Sequence, residues 1–136
     1  MILDTNVISE LARPYPEPKV RAWLLAQPAS SFATTTINVA EIHAGIALLP
    51  EGARRTEVRA NMLAGLQVLA ANTFAFDTAA AAVYGPLVAK RARLGRPLRG
   101  FDGLIAAIAL SCGHAIATRN VADFDDCGLI IFNPWD

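Results

Sequence analysis

Short apolar segments of strand character alternate with helix-length segments from one end of this chain to the other. Met1-Ile2-Leu3, Ser31 to Thr35, Thr73 to Phe76, Ala115 to Ala117 and Leu129 to Phe132 are the strand-like pieces. Apolar spacing and breakers predict helices over Val7–Ala12, Lys19–Ala26, from Thr36 or Asn38 to about Leu49, Arg54–Ala71, Ala79–Leu94 and Phe101–Cys112. Strands separated by helical crossovers pair in parallel and need helices over both faces. The expected fold class is therefore α/β, with a central, mostly parallel sheet of four to five short strands flanked by helices. Residues 1–136 show no repeat, low-complexity stretch or linker, so a single domain is expected.

Local signals set the expected boundaries. Thr5 or Asn6 is expected to cap the first helix, and Thr36 or Asn38 the third. Pro14, Pro16, Pro18 and Pro28 stop the early helices. Gly85-Pro86 is expected to kink the fifth or to mark its true start. The segment Phe101–Cys112 is nearly all apolar, which puts it in the middle of the fold, and Gly113 suits its C-terminal cap.

The chain carries 12 basic and 12 acidic side chains, a net charge of zero, so any case for nucleic-acid binding must be local. One such place exists. Lys90, Arg91, Arg93, Arg96 and Arg99 crowd into ten residues with no acid between them. Arg54, Arg55 and Arg59 form a smaller group. Hydrophobic residues make up 54% and charged ones only 18%, a balance that leaves apolar surface for a partner or a second copy. Two cysteines give no disulfide framework and fit a reducing compartment. No signal peptide is read at the N-terminus, and the run Gly103 to Cys112 is too short to span a bilayer. The expected location is the cytoplasm, away from the membrane.

Four acids stand where a lone carboxylate fits poorly. Asp4 ends the first apolar segment. Glu41 interrupts Ile37-Asn38-Val39-Ala40-Glu41-Ile42. Asp102 opens the most apolar helix, and Asp123 follows Ala115-Ile116-Ala117-Thr118 by a short step. Taken one at a time they have plain explanations: a strand-end cap for Asp4, a helix-surface residue for Glu41, a helix N-cap for Asp102, a solvated loop acid for Asp123. Taken together they point to one site, because sites in parallel sheets form outside the carboxyl ends of the strands. Two unit charges about 4 Å apart repel by roughly 4 kcal/mol at an effective dielectric near 20. A divalent cation relieves that repulsion, and an all-oxygen set suits Mg²⁺ or Mn²⁺ rather than zinc. Such ions bind phosphoryl groups and acidify water.

The segments Ile2-Leu3-Asp4-Thr5-Asn6-Val7, Val39-Ala40-Glu41-Ile42, Asp102-Gly103-Leu104-Ile105-Ala106-Ala107 and Thr118-Arg119-Asn120-Val121-Ala122-Asp123-Phe124 together resemble the PIN domain family. They are most similar to its VapC and FitB-like toxins, and the match runs over essentially the whole chain. The resemblance implies an RNA-cleaving Mg²⁺ or Mn²⁺ site made by Asp4, Glu41, Asp102 and Asp123. It implies that Asn6, Thr118 and Asn120 orient the acids or the substrate. Asp125 and Asp126 leave open which C-terminal acid serves the metal. It further implies hydrolysis by an ion-activated water, leaving 5′-phosphate and 3′-hydroxyl ends. The implied partners are an RNA substrate, a small DNA-binding antitoxin that blocks the acids, and a second copy in a homodimer. Many relatives have Ala where this chain has Gly103, which is expected to loosen that helix start slightly.

Arg119, beside the acids, and Arg99, at the end of the basic run, are candidate contacts to the RNA backbone. His43 lies two residues from Glu41 and cannot share its helix face, so a packed or interfacial histidine is expected. Trp23 and Trp135 are expected in the core or at a partner surface. Cys112, His114 and Cys127 have no common zinc spacing. Two other functions stay open at this stage. One is a weakly catalytic or non-catalytic partner in a FitAB-like DNA-binding complex. The other is a Mg²⁺-dependent phosphatase, disfavoured because Asn6 stands where a second Asp is required.

Overall fold

A computed structural model describes residues 1–136. The strands are β1 (Ile2–Leu3), β2 (Thr34–Thr35), β3 (Thr73–Phe74), β4 (Ile116–Ala117) and β5 (Ile131–Phe132). The helices are α1 (Thr5–Leu11), α2 (Pro18–Leu25), α3 (Thr36–Leu48), α4 (Ala53–Leu69), α5 (Thr78–Arg93), α6 (Asp102–Ser111) and α7 (Val121–Phe124). All strand pairs are parallel. One sheet runs β1-β4-β5 and a second pairs β2 with β3. A parallel bridge between Ile2 and Ala33 joins them, so five strands lie in the order β3-β2-β1-β4-β5. The expected fold class holds.

Strand alternation divides the core in two. Ile2 and Ile116 face a cluster with Ile105 to Ala109 of α6, Ala80 and Leu87 of α5, and Phe124 of α7. Their neighbours Leu3 and Ala117 face the other way, against Val7, Ile8, Ile42, Ile46 and Leu69 from α1, α3 and α4. Successive strand residues point to opposite faces, so two-residue strands still serve both layers. Helix α6 is apolar all round because α5 covers it on one side and the sheet on the other; Ile105 through Ala109 have no exposed surface.

Several boundaries differ from the sequence expectation. Asp4, not Thr5 or Asn6, caps α1 by accepting from the Thr5 N–H at 2.8 Å, so that helix starts two residues early. Thr35, not Thr36 or Asn38, caps α3 by accepting from the Asn38 N–H at 3.1 Å. In both places the strand residue itself keeps extended backbone while its side chain reaches the first helical turn. Asp102 is the first helical residue of α6 rather than its cap; Phe101 stands in the cap position. Helix α5 starts at Thr78, capped by Asp77, and continues through Pro86, so Gly85-Pro86 is not its beginning. The residues around Asp123 form the one-turn α7 rather than a plain loop. At Gly103 a Cβ would lie 3.1 Å from Tyr84 Cε2 and 3.3 Å from Leu98 Cδ1. Glycine there lets α5 and the preceding loop close over α6, which is a packing role and not a loosened helix start.

The basic run is also partly structural. Arg91 is only 4% exposed. Its Nε donates to the Arg96 carbonyl at 2.8 Å, and its Nη1 donates to the Asp125 carbonyl. This guanidinium ties the end of α5 to the loop after α7, so Arg91 is not available to a nucleic-acid backbone. Arg91→Ala is expected to lower stability by about 2–4 kcal/mol, since it leaves two carbonyls without their donors. Urea unfolding measures this; a loss below about 1 kcal/mol contradicts the clamp.

Candidate functional site

The chain order turns back between β1 and β4: the strands after β1 build outward on one side, and β4 and β5 lie on the other. A crevice opens at the carboxyl ends where such a reversal occurs. Asp4 follows β1 and Thr118 follows β4, so the two meet at its floor. The Asp4 N–H donates to the Ala117 carbonyl at 3.0 Å and the Thr118 N–H to Phe132 at 2.9 Å, holding both backbones in register.

Asp4 is 6% exposed and accepts four hydrogen bonds. Oδ1 takes the Thr5 N–H at 2.8 Å and the Asn38 amide at 3.0 Å. Oδ2 takes the Thr118 hydroxyl at 2.6 Å and the Asn6 amide at 2.9 Å. All four donors are neutral, so the carboxylate is solvated by dipoles while its charge remains unbalanced. Burial pushes its pKa up, and these bonds pull against that. Glu41 sits on α3, where Thr5 Oγ1 donates to its Oε2 at 2.6 Å. Its pKa is also raised, by burial first and then by the charge of Asp4, with the Thr5 bond opposing.

Asp102 is the most perturbed of the set. Its pKa is pushed up to about 6, by burial first and then by the charges of Asp123, Asp4 and Glu41, with Arg91 opposing weakly. Charges from α7, the end of β1 and α3 therefore all bear on Asp102 at the start of α6. Asp123 is the C-terminal acid nearest in effect to Asp102. Asp126 is engaged elsewhere, in an ion pair with Arg96 at 3.0 Å. No three of the chain's His, Cys, Asp and Glu side chains are grouped tightly enough to enclose an ion as they stand. The donor chemistry nonetheless fits a hard dication: the oxygens are anionic, and the only cation acting on Asp102 is the weakly opposing Arg91.

The polar residues expected nearby divide into two groups. Asn6 bonds Asp4, Thr118 and, through Oδ1, the Arg119 N–H at 3.1 Å. Thr118 Oγ1 also accepts from the Asn120 N–H at 3.0 Å. These three brace the crevice floor. Arg119 stacks on Trp135, its guanidinium 5.4 Å from the ring centroid. Arg99 is exposed in the loop before Asp102 and accepts the Asp102 N–H through its carbonyl. Asn38 and Thr5, not singled out from sequence as site residues, stand inside the network. The signal was present: Asn38 is three residues before Glu41 in an apolar segment, on the same helix face. His43 is exposed rather than packed.

A parallel α/β fold with an acid cluster at its switch point defines a class of phosphate-handling domain. The family model described as PIN domain matches residues 1–127, and this chain belongs to that family. It is 41% identical over 137 residues to the plasmid stability protein StbB of Pseudomonas syringae pv. tomato, covering 100% of this chain and 99% of that protein. It is 41% identical over 138 residues to the VapC ribonuclease Y4jK of Sinorhizobium fredii, covering 100% and 98%. Toxin FitB of Neisseria gonorrhoeae is 34% identical over 136 residues, covering 99% and 98%. The solved structure of FitAB bound to an IR36 DNA fragment superposes with a TM-score of 0.91 at 34% identity, over 99% of this chain and 95% of that one.

Proposed function

We propose that this chain is a divalent-metal-dependent endoribonuclease and the toxin half of a toxin–antitoxin pair. The observation that carries the reading is that the charges of Asp123, Asp4 and Glu41 all bear on Asp102, whose pKa is pushed up to about 6, with no ion pair to any of the four. The similarity to a VapC ribonuclease and to Toxin FitB supports it.

Asp4 and Asp102 would hold Mg²⁺ or Mn²⁺ most directly, with Glu41 and Asp123 completing the set. The ion supplies a Lewis acid for the phosphodiester and makes water acidic enough to attack at neutral pH. Glu41, whose pKa is raised by burial and then by the charge of Asp4, would complete the ion's carboxylate set or help position the water. Asn6, Thr118 and Asn120 keep Asp4 aimed into the crevice. Arg99, exposed one turn before Asp102, meets the RNA backbone, and Arg119 does so beside Thr118. No helix is long and apolar enough to cross a membrane, and a cytoplasmic location is part of this reading.

An antitoxin fits the surface as well. Leu3, Ile8, Leu11, Leu24, Leu25 and Val68 line an apolar cavity of about 380 Å³ between α1, α2 and α4. Leu25 and Val68 are 73% and 78% exposed there, a seat for an apolar helix face. The expected occupant is a segment of a small DNA-binding partner, in keeping with the FitAB–DNA likeness. Elsewhere Leu48 is 85% exposed, apolar surface that a homodimer would cover.

RNA cleavage with and without EDTA, beside an Asp4→Asn, Asp102→Asn double variant, tests the reading. Only the metal-loaded wild type is expected to cut, and equal cleavage in all three refutes it. The same similarity to FitAB on DNA favours a second reading, a DNA-binding partner with little nuclease activity. Calorimetry separates the two, because a folded protein with no affinity for Mg²⁺ or Mn²⁺ fits only the second.

A further inference from the structure

Asn38 is a fully buried side chain that bonds Asp4 directly and reaches Glu41 through Thr5. Its Nδ2 donates to Asp4 Oδ1 at 3.0 Å and to Thr5 Oγ1 at 3.1 Å. Thr5 Oγ1 in turn donates to Glu41 Oε2 at 2.6 Å. On its other side Asn38 Oδ1 accepts from Thr35 Oγ1 at 2.6 Å. The direction of every bond follows from the donor count. Glu41 and Asp4 only accept when ionised, so the Thr5 hydroxyl proton goes to Glu41 and both amide protons of Asn38 face Asp4 and Thr5. The amide oxygen is left for Thr35. A flipped amide would set oxygen against the Asp4 carboxylate.

The demand at this position is therefore two donors on one nitrogen and one acceptor, which among side chains of this size only Asn supplies. A threonine has a single hydroxyl proton. An aspartate would add another carboxylate against Asp4. A leucine would strip Asp4 and Thr5 of a donor in a buried place, which is costly. No buried side-chain nitrogen or oxygen in the chain lacks a partner, so the network is complete as it stands.

We propose that Asn38 is a positioning residue: through direct contact with Asp4 and through Thr5 to Glu41, it orients the two carboxylates for binding a divalent cation. This rests on reading the acid cluster as a cation site. Residues that orient metal ligands without touching the metal commonly change affinity or activity by about 10- to 100-fold when removed.

The test titrates Mn²⁺ into wild type, Asn38→Ala, Asn38→Thr and Thr5→Val by electron paramagnetic resonance, with melting curves and RNA kinetics alongside. Asn38→Ala is expected to weaken Mn²⁺ binding by about 10- to 100-fold and to lower kcat alike, while KM for RNA stays within about twofold. Asn38→Thr recovers part of the affinity, because one of the two acceptors regains a donor. Thr5→Val, which cuts only the Glu41 branch, weakens Mn²⁺ binding less than Asn38→Ala does. Folded Asn38→Ala protein with wild-type Mn²⁺ affinity overturns the proposal. Should Asn38→Ala not fold, wild-type affinity in Thr5→Val does the same. Wild-type protein that binds Mn²⁺ but cuts no RNA sinks the nuclease reading and leaves this comparison valid. Wild-type protein that binds no Mn²⁺ sinks both.

Discussion

Metal-free Asp102→Asn protein is expected to melt higher than wild type at pH 8 and to cut no RNA. The two effects have one cause. The Asp102 pKa stands at about 6 in the folded chain, raised by burial and by the charges of Asp123, Asp4 and Glu41. In the unfolded chain the value is the ordinary 3.8. Between those values the folded state holds a proton that the unfolded state has released. Stability therefore falls as pH rises through this window, and the penalty is complete above it. Asparagine carries no charge at any pH and avoids the penalty. The gain in melting temperature should shrink toward pH 4, where Asp102 is neutral in the folded state and only partly ionised in the unfolded one. Cleavage behaves oppositely, because the same charge is what a cation needs. Its loss should be at least about 100-fold, more than removal of a residue that only orients a ligand. Calorimetric melting at pH 4 and pH 8 reads the first effect and single-turnover cleavage the second. Equal melting temperatures at pH 8, or cleavage surviving the substitution, would contradict this account of the cluster.

Mn²⁺ is expected to raise the melting temperature of the wild type by roughly 10 °C at pH 8, when present at about 100 times its dissociation constant. An ion that binds only the folded state adds about 2.7 kcal/mol under those conditions. That figure already includes the relief of the acids' mutual repulsion, which the unfolded chain does not feel. At pH 5 the shift should be much smaller. Asp102 is then mostly protonated, and protons compete with the ion for the same oxygens. The Asp4→Asn, Asp102→Asn variant should show little shift at either pH. A shift of equal size at pH 5 and pH 8, or in that variant, would place the ion elsewhere on the protein.

Much of this site was legible in the sequence. Asp4, Glu41, Asp102 and Asp123 stood out because each carboxylate abuts an apolar segment, and burial is where charge is expensive. Asn6, Thr118 and Asn120 came only from the resemblance to the PIN domain family. What sequence reading missed were the caps and Asn38. Thr35 was taken for a strand residue and Asp4 for the end of a strand, and each also caps the helix that follows. Patterns of period and polarity assign a residue one role, whereas a strand that runs directly into a helix asks its last residue for two. Arg91 was missed for a different reason. Its neighbours Lys90, Arg93, Arg96 and Arg99 are exposed, and nothing in a run of cations shows which one the fold turns inward.

The order of apolar and polar residues was enough to determine a parallel α/β chain and to mark four acids as candidates for one site. Hydrophobic burial acts on each segment by itself, so its imprint survives in a linear string. The spacing of those acids is another matter. Coulomb repulsion and hydrogen-bond geometry depend on distances between residues 36 to 114 positions apart, such as Thr5 to Glu41 and Asp4 to Thr118. Only the folded sheet, by setting β1 beside β4 and α3 across from Asp4, decided which charges feel one another and that Asn38 stands between them.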